Sequence, residues 1–196
     1  DFVCAQTGTA PVIIDAGCGE GAYTRRVFDA LAADGRAPQL VGIDISTDAL
    51  RRAARLVPEG IFCAASTAHM PLPDGCADLL LNIFSPFMPE EFRRVLHPGG
   101  HLLRVLPMER HLWELKAAVY DTPYENPPAD LSAPGFTLCA QQALQRSILL
   151  KTAEDIQALF QMTPYYYKTG AADQEKLDGL SQLSVTTEFL LALYQT

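Results

Sequence analysis

The chain has 196 residues, 48% of them apolar, and a formal net charge of −8. That length suits one α/β domain, residues 1–196, with a sizeable buried core. No apolar run approaches the ~18 residues of a membrane span, no charged-then-apolar leader is present, and the acidic balance disfavours a surface that grips nucleic acid by bulk electrostatics.

The expectation is therefore a cytoplasmic protein. The chain starts with Asp and reaches its first strand early, which reads as a fragment of a longer protein. Five cysteines, Cys4, Cys18, Cys63, Cys76 and Cys139, are scattered and never spaced C-x-x-C. They read as reduced, small hydrophobes rather than a metal site or a disulfide framework. Arg25, Arg26, Arg51, Arg52, Arg55, Arg93 and Arg94 fall early in the chain, as solvated helix faces or as a local basic face.

In chain order, Val12 to Asp15 reads as a short buried strand. Glu20 to Ala33 follows with helical periodicity, placing Tyr23, Val27, Phe28 and Leu31 on one face. Leu40 to Asp44 is a second strand, and Ser46 caps a helix that runs to about Leu56. Gly60 to Ala65 gives a third strand, Met70 to Gly75 a loop, and Ala77 to Phe84 a fourth strand. Pro89 to Leu96 is a short helix, closed by a turn at His97-Pro98-Gly99-Gly100, and His101 to Leu106 is strand five. Beyond it, Arg110 to Tyr120 reads as a helix, Tyr124 to Gly135 as an irregular proline-rich loop and Phe136 to Leu150 as a strand. Ala153 to Gln161 is a helix and Thr186 to Tyr194 a final strand. Alternation at this spacing predicts an α/β fold: a doubly wound, mostly parallel, seven-stranded sheet with an antiparallel pair at its edge.

The stretch Asp15-Ala16-Gly17-Cys18-Gly19-Glu20-Gly21 sits between the first strand and the first helix. A strand, a glycine turn and a helix start gather backbone N–H groups around a concave site. Gly17 allows the tight turn, Gly19 the close approach of a ligand, and Gly21 close packing of helix on strand. Asp44 ends the second strand, where a carboxylate can accept both hydroxyls of a ribose. A nicotinamide dinucleotide and S-adenosylmethionine both fit this far. The spacing separates them: G-x-G-x-G is tighter than the G-x-G-x-x-G of dinucleotide sites and suits the amino-acid end of a compact ligand.

DAGCGEG, GIDIS, AASTAHMPLPDGCADLL and FRRVLHPGGHLLRVLP, in that order, resemble the successive motifs of class I S-adenosylmethionine-dependent methyltransferases, over roughly residues 11 to 107. That resemblance implies S-adenosylmethionine as cofactor. Asp15, Gly17, Gly19, Gly21 and Ala22 would surround its methionine moiety. Asp44 would hold the ribose, Ile45 would lie on the adenine face, and Ser66, Thr67 and Ala68 would pass the adenine edge. Many relatives carry Asp where Ser66 stands. Asn82 to Phe84 would border the methyl group. Further on, PMERHLWELKAAVYD, GFTLC and ALFQMTPYYYK resemble the bacterial 23S rRNA (guanine-N1)-methyltransferases. This second resemblance implies transfer of a methyl group to N1 of a guanine in an rRNA hairpin, a homodimer, and a cofactor contact from His111. The cysteine-rich zinc module that opens such enzymes has no counterpart in this sequence, which would weaken RNA binding. The alternative is a methyltransferase acting on a small molecule, which the acidic balance favours.

Guanine N1 carries a proton at neutral pH, so a base or an enolate-stabilising donor is expected. Asn82, Ser85 and Glu109 fall near the expected mouth, and no residue is assigned as the base. The Watson–Crick edge must also be unpaired, so aromatic side chains should receive the base. Phe84, Phe87 and Tyr165 to Tyr167 are the candidates.

Overall fold

The computed structural model describes residues 7–196, so Cys4 lies outside the described residues. Seven strands form one sheet in the order β3-β2-β1-β4-β5-β7-β6. β1 (Val12–Ala16) lies parallel between β2 (Gln39–Asp44) and β4 (Ala77–Ile83), with Ile14 opposite Val41 on one side and Leu80 on the other. β3 (Ile61–Ala64) and β5 (Leu96–Pro107) extend the parallel array, and β6 (Thr137–Leu150) and β7 (Leu183–Gln195) supply the antiparallel edge.

The chain divides into two compact units. The first comprises the chain through Leu106 together with Leu131–Gln141 and Leu191–Thr196. Its central strands are apolar on both faces, as strands covered on both sides must be. Ile13, Leu79, Leu81 and Leu103 pack with Leu31 of α1 (Ala22–Ala33). Ile14, Ile43, Leu80 and Leu102 pack on the opposite face with Phe92 and Val95 of α3 (Pro89–Val95). α2 (Thr47–Leu56) buries Leu50 and Ala53, and the Ser46 hydroxyl accepts from the Ala49 N–H at 3.3 Å, the cap expected from the sequence.

The second unit comprises Pro107–Asp130 and Gln142–Leu190. Its core joins Leu112, Leu115 and Val119 with Ile156, Phe160, Leu177 and Val185, bringing together α4 (Trp113–Val119) and α5 (Ala153–Gln161). No helix of the described residues is long and apolar enough to cross a membrane.

Three boundaries differ from the sequence reading by three residues or more, and one of them is the start of β7, at Leu183 rather than Thr186. β5 begins at Leu96, not His101, because the expected turn lies within the strand: Ala77 pairs with Leu96 and Leu79 with His101. The extra residues form an irregular bulge in which Gly99 has φ 85°. α4 begins at Trp113, not Arg110, because Leu112 is left-handed at φ 56° and its N–H bonds to Thr186 O at 2.8 Å.

Candidate active site

In the first unit, the C-terminal ends of β1 to β4 carry Asp15, Gly17, Gly19, Gly21, Ala22, Asp44, Ile45, Ser66, Thr67, Ala68 and Asn82. The glycine loop is fastened to β2 from beneath, since Gly17 and Cys18 both donate to Ile43 O, at 2.8 and 3.0 Å. Gly17, Gly19 and Gly21 have φ of 84, 54 and 82°, conformations that L side chains rarely adopt. A side chain at Gly19 would meet nothing within 4 Å, so space over the loop is open for a close approach. Gly21 does something other than expected. A Cβ there would lie 3.0 Å from that of Ala53, so the glycine lets the start of α1 close onto α2 rather than onto a strand.

Asp44 is drawn into the loop. One carboxylate oxygen accepts from the Gly19 N–H at 2.9 Å and the other from the Ser46 N–H at 2.8 Å. These bonds fix the carboxylate's orientation at the end of β2. Each oxygen has lone-pair capacity beyond one such bond. Ile45, beside it, is 80% exposed, an apolar surface suited to a flat ring. After β3, the exposed Ser66 hydroxyl accepts from the Ala68 N–H at 3.2 Å, which shapes the segment Ser66 to Ala68.

Asp15 is buried under the loop, and the Thr24 hydroxyl donates to it at 2.5 Å. Burial pushes its carboxyl up to about 6, the Thr24 bond opposes that shift, and the charge of Asp44 adds to it. Thr24 was absent from the sequence reading. Its only signal there is a small polar residue on the buried side of a helix. Cys18, in the loop itself, is held as the thiol, its pKa raised to about 12 chiefly by burial.

Asn82 is buried at the end of β4 and its amide NH2 group is engaged. Nδ2 donates to Ser85 Oγ at 2.6 Å, Ser85 O at 3.1 Å and Pro86 O at 3.3 Å. The Ser85 hydroxyl in turn donates to Ala16 O. Both side chains thus shape the turn after β4.

The structure places His111 and Glu109 in the second unit. Nδ1 of His111 accepts from the Glu188 N–H at 3.2 Å, and its ring lies 4.3 Å from that of Phe189. Burial, aided by the Lys116 charge, lowers its pKa to about 4. The ring is neutral at pH 7 with its proton on Nε2. A hub centred on Asn126 holds the adjoining segment: its N–H donates to Glu109 O at 2.8 Å and its amide to Met108 O at 2.9 Å. Lys116 donates to Asn126 Oδ1 at 2.7 Å, with the rings of Tyr124 and Tyr165 against its ammonium.

Residues 13–100 match the model of a family described as "Methyltransferase domain". A 23S rRNA (guanine(748)-N(1))-methyltransferase of Streptomyces fradiae is 36% identical over 152 residues, covering 74% of this chain and 52% of that protein. A protein of Micromonospora griseorubida, provisionally named as a 23S rRNA (guanine-N(1)-)-methyltransferase, is 34% identical over 193 residues, covering 94% of this chain and 63% of its own length. The chain thus spans between half and two-thirds of these relatives. Among solved structures, an S-adenosylmethionine-dependent methyltransferase from Methanosarcina mazei shares the fold with a TM-score of 0.57 at 15% identity, over 100% of this chain and 96% of that one.

Proposed function

Because this chain carries the methyltransferase domain and the fold of the class I S-adenosylmethionine-dependent methyltransferases, we propose that it transfers a methyl group from S-adenosylmethionine to N1 of a guanine in 23S rRNA. The observation that carries this reading is the extent of the likeness. It runs past the cofactor half, through RHLWELK and QMTP, in a relative named for that nitrogen. The reading places the reaction in the cytoplasm, with an rRNA hairpin as substrate, a homodimer as the working form, and residues 1–196 as one catalytic domain.

The residues fit the cofactor. Open space over Gly19 accommodates its methionine end, the fixed Asp44 carboxylate suits ribose hydroxyls, and exposed Ile45 suits adenine. Ser66 to Ala68 would edge the adenine, and Ala22, at the first turn of α1, lies beside the methionine end. His111, with a proton on Nε2, suits a carboxylate acceptor. The cofactor supplies a methyl group on a sulfonium, transferred by in-line displacement. The chain's part is orientation: the acceptor nitrogen must stand about 3 Å from the methyl and in line with the bond that breaks. Asp15, the buried carboxylate beneath the loop, sets a negative potential where the ligand's cationic end would rest.

Incubation with methyl-labelled S-adenosylmethionine tests the reading. Label is expected in unmodified 23S rRNA and not in a small-molecule pool, whereas label in small molecules alone would end it and favour the alternative acceptor. Asp44→Ala should weaken cofactor binding by about 1.5–3 kcal/mol in calorimetry, the loss of charge-assisted hydrogen bonds. Unchanged affinity would remove Asp44 from the site.

A further inference from the structure

β4 ends at Ile83, and Phe84 then enters the left-handed region at φ 56°. For a bulky side chain that is an outlier. The turn is held there from two sides, by the three bonds from Asn82 and by Ser85, which donates to Ala16 O. A Cβ on Gly17 would lie 2.4 Å from that of Ser85, so the glycine loop and this turn fit closely. The core gains little from the strain, since the Phe84 ring stays 53% exposed. Strain held by its surroundings is characteristic of ligand clamps.

Tyr23 meets this ring edge-on, with centroids 5.9 Å apart at 70°, and is itself 47% exposed. It comes from the first turn of α1, directly after the glycine loop. Edge-to-face pairing orients both rings before any ligand arrives. Phe87, the neighbouring candidate, is different: it is half-buried, packs 5.8 Å from Phe92 and lies under the Arg104 guanidinium at 3.9 Å.

Strand order gives the pair its place. Along the C-terminal edge the site runs from Ser66 to Ala68 after β3, to Asp44 on β2, to the glycine loop after β1, and then to β4. With adenine at the first of these and methionine at the third, the methyl group leaves toward the fourth. We propose that the Tyr23–Phe84 ring pair is the platform on which the purine base of the methyl acceptor stacks. The assignment rests on the methyltransferase reading above and deepens it by naming the residues that receive the base.

Two experiments test it. Phe84→Trp puts a fluorescent ring at the platform. Titration with guanosine monophosphate in the presence of S-adenosylhomocysteine should quench it saturably, while ribose 5-phosphate should not. Absence of quenching by the nucleotide would overturn the proposal. Phe84→Ala should lower kcat/KM for methyl transfer into RNA by about tenfold or more, the scale of one lost base–aromatic stack, with S-adenosylmethionine affinity unchanged. Phe84→Tyr, which keeps a ring, should lose less. A parallel loss of S-adenosylmethionine affinity in Phe84→Ala would place the ring on the cofactor and overturn the proposal. If the unaltered protein labels no RNA, the rRNA reading fails, and the quenching experiment still decides whether a purine stacks here.

Discussion

Asp15 is 2% exposed, with a carboxyl raised from 3.8 to about 6. The sign of its effect on stability follows from the shift. Between those values the folded protein holds a proton that the unfolded chain releases, so stability falls as pH rises through the window. Above pH 6 the buried charge costs about 3 kcal/mol relative to a protonated carboxyl. Asp15→Asn should therefore raise the melting temperature at pH 8 and change it little at pH 4, a difference that scanning calorimetry would read. An equal effect at both pH values would remove burial of charge as its cause. In the proposed function the same charge gives a buried carboxylate a purpose beneath the glycine loop. A cationic ligand favours the ionised form, so S-adenosylmethionine affinity should rise between pH 5 and pH 7 with release of protons.

At the scale of elements, two glycines of one loop separate folding from binding. Gly21→Ala places a methyl group against Ala53 and keeps a residue at φ 82°, and should destabilise the fold by about 1–3 kcal/mol in denaturant titration. Gly19→Ala meets nothing within 4 Å and should cost roughly 1 kcal/mol in stability. Its methyl group fills the approach over the loop, so S-adenosylmethionine affinity should fall by at least about tenfold in calorimetry. Unchanged affinity would mean that no ligand comes close there. The loop was legible in the sequence because its glycines, the apolar run before it and the helix after it are contiguous. So were β1 to β4 and the Ser46 cap, each written in a local pattern. The bonds that finish the site were not: Thr24 to Asp15, and Ser85 to Ala16, depend on which strand and helix lie beside β1. β5 was shortened in the reading because a Gly-Gly bulge and a Gly-Gly turn have the same letters. The start of α4 was misplaced because Leu112 answers to Thr186, 74 positions away.

At the scale of the whole molecule, charge must be reconciled with the proposed RNA substrate. Most of the arginines that cluster early in the chain are paired: Arg25 with Asp29 and Glu59, Arg51 with Asp48, Arg52 with Glu20, and Arg94 with Asp74 and Glu91. Arg26, Arg55, Arg93, Arg146, Lys151 and Lys168 have no ion pair among the described residues and are the cations available to phosphates. Binding of a single-stranded RNA to this chain should then weaken with salt along a log–log slope no steeper than about −4 in fluorescence anisotropy. A steeper slope would mean that the ion pairs open on binding. The central claim concerns one nitrogen, and its product reports itself, because a methyl group on guanine N1 blocks base pairing. The direct measurement is nucleoside analysis, with primer extension, of 23S rRNA treated with this protein and S-adenosylmethionine. The account predicts N1-methylguanosine and a single new stop at a guanine. Methylation at another atom, or RNA left unmodified while a small molecule gains the methyl group, would contradict it.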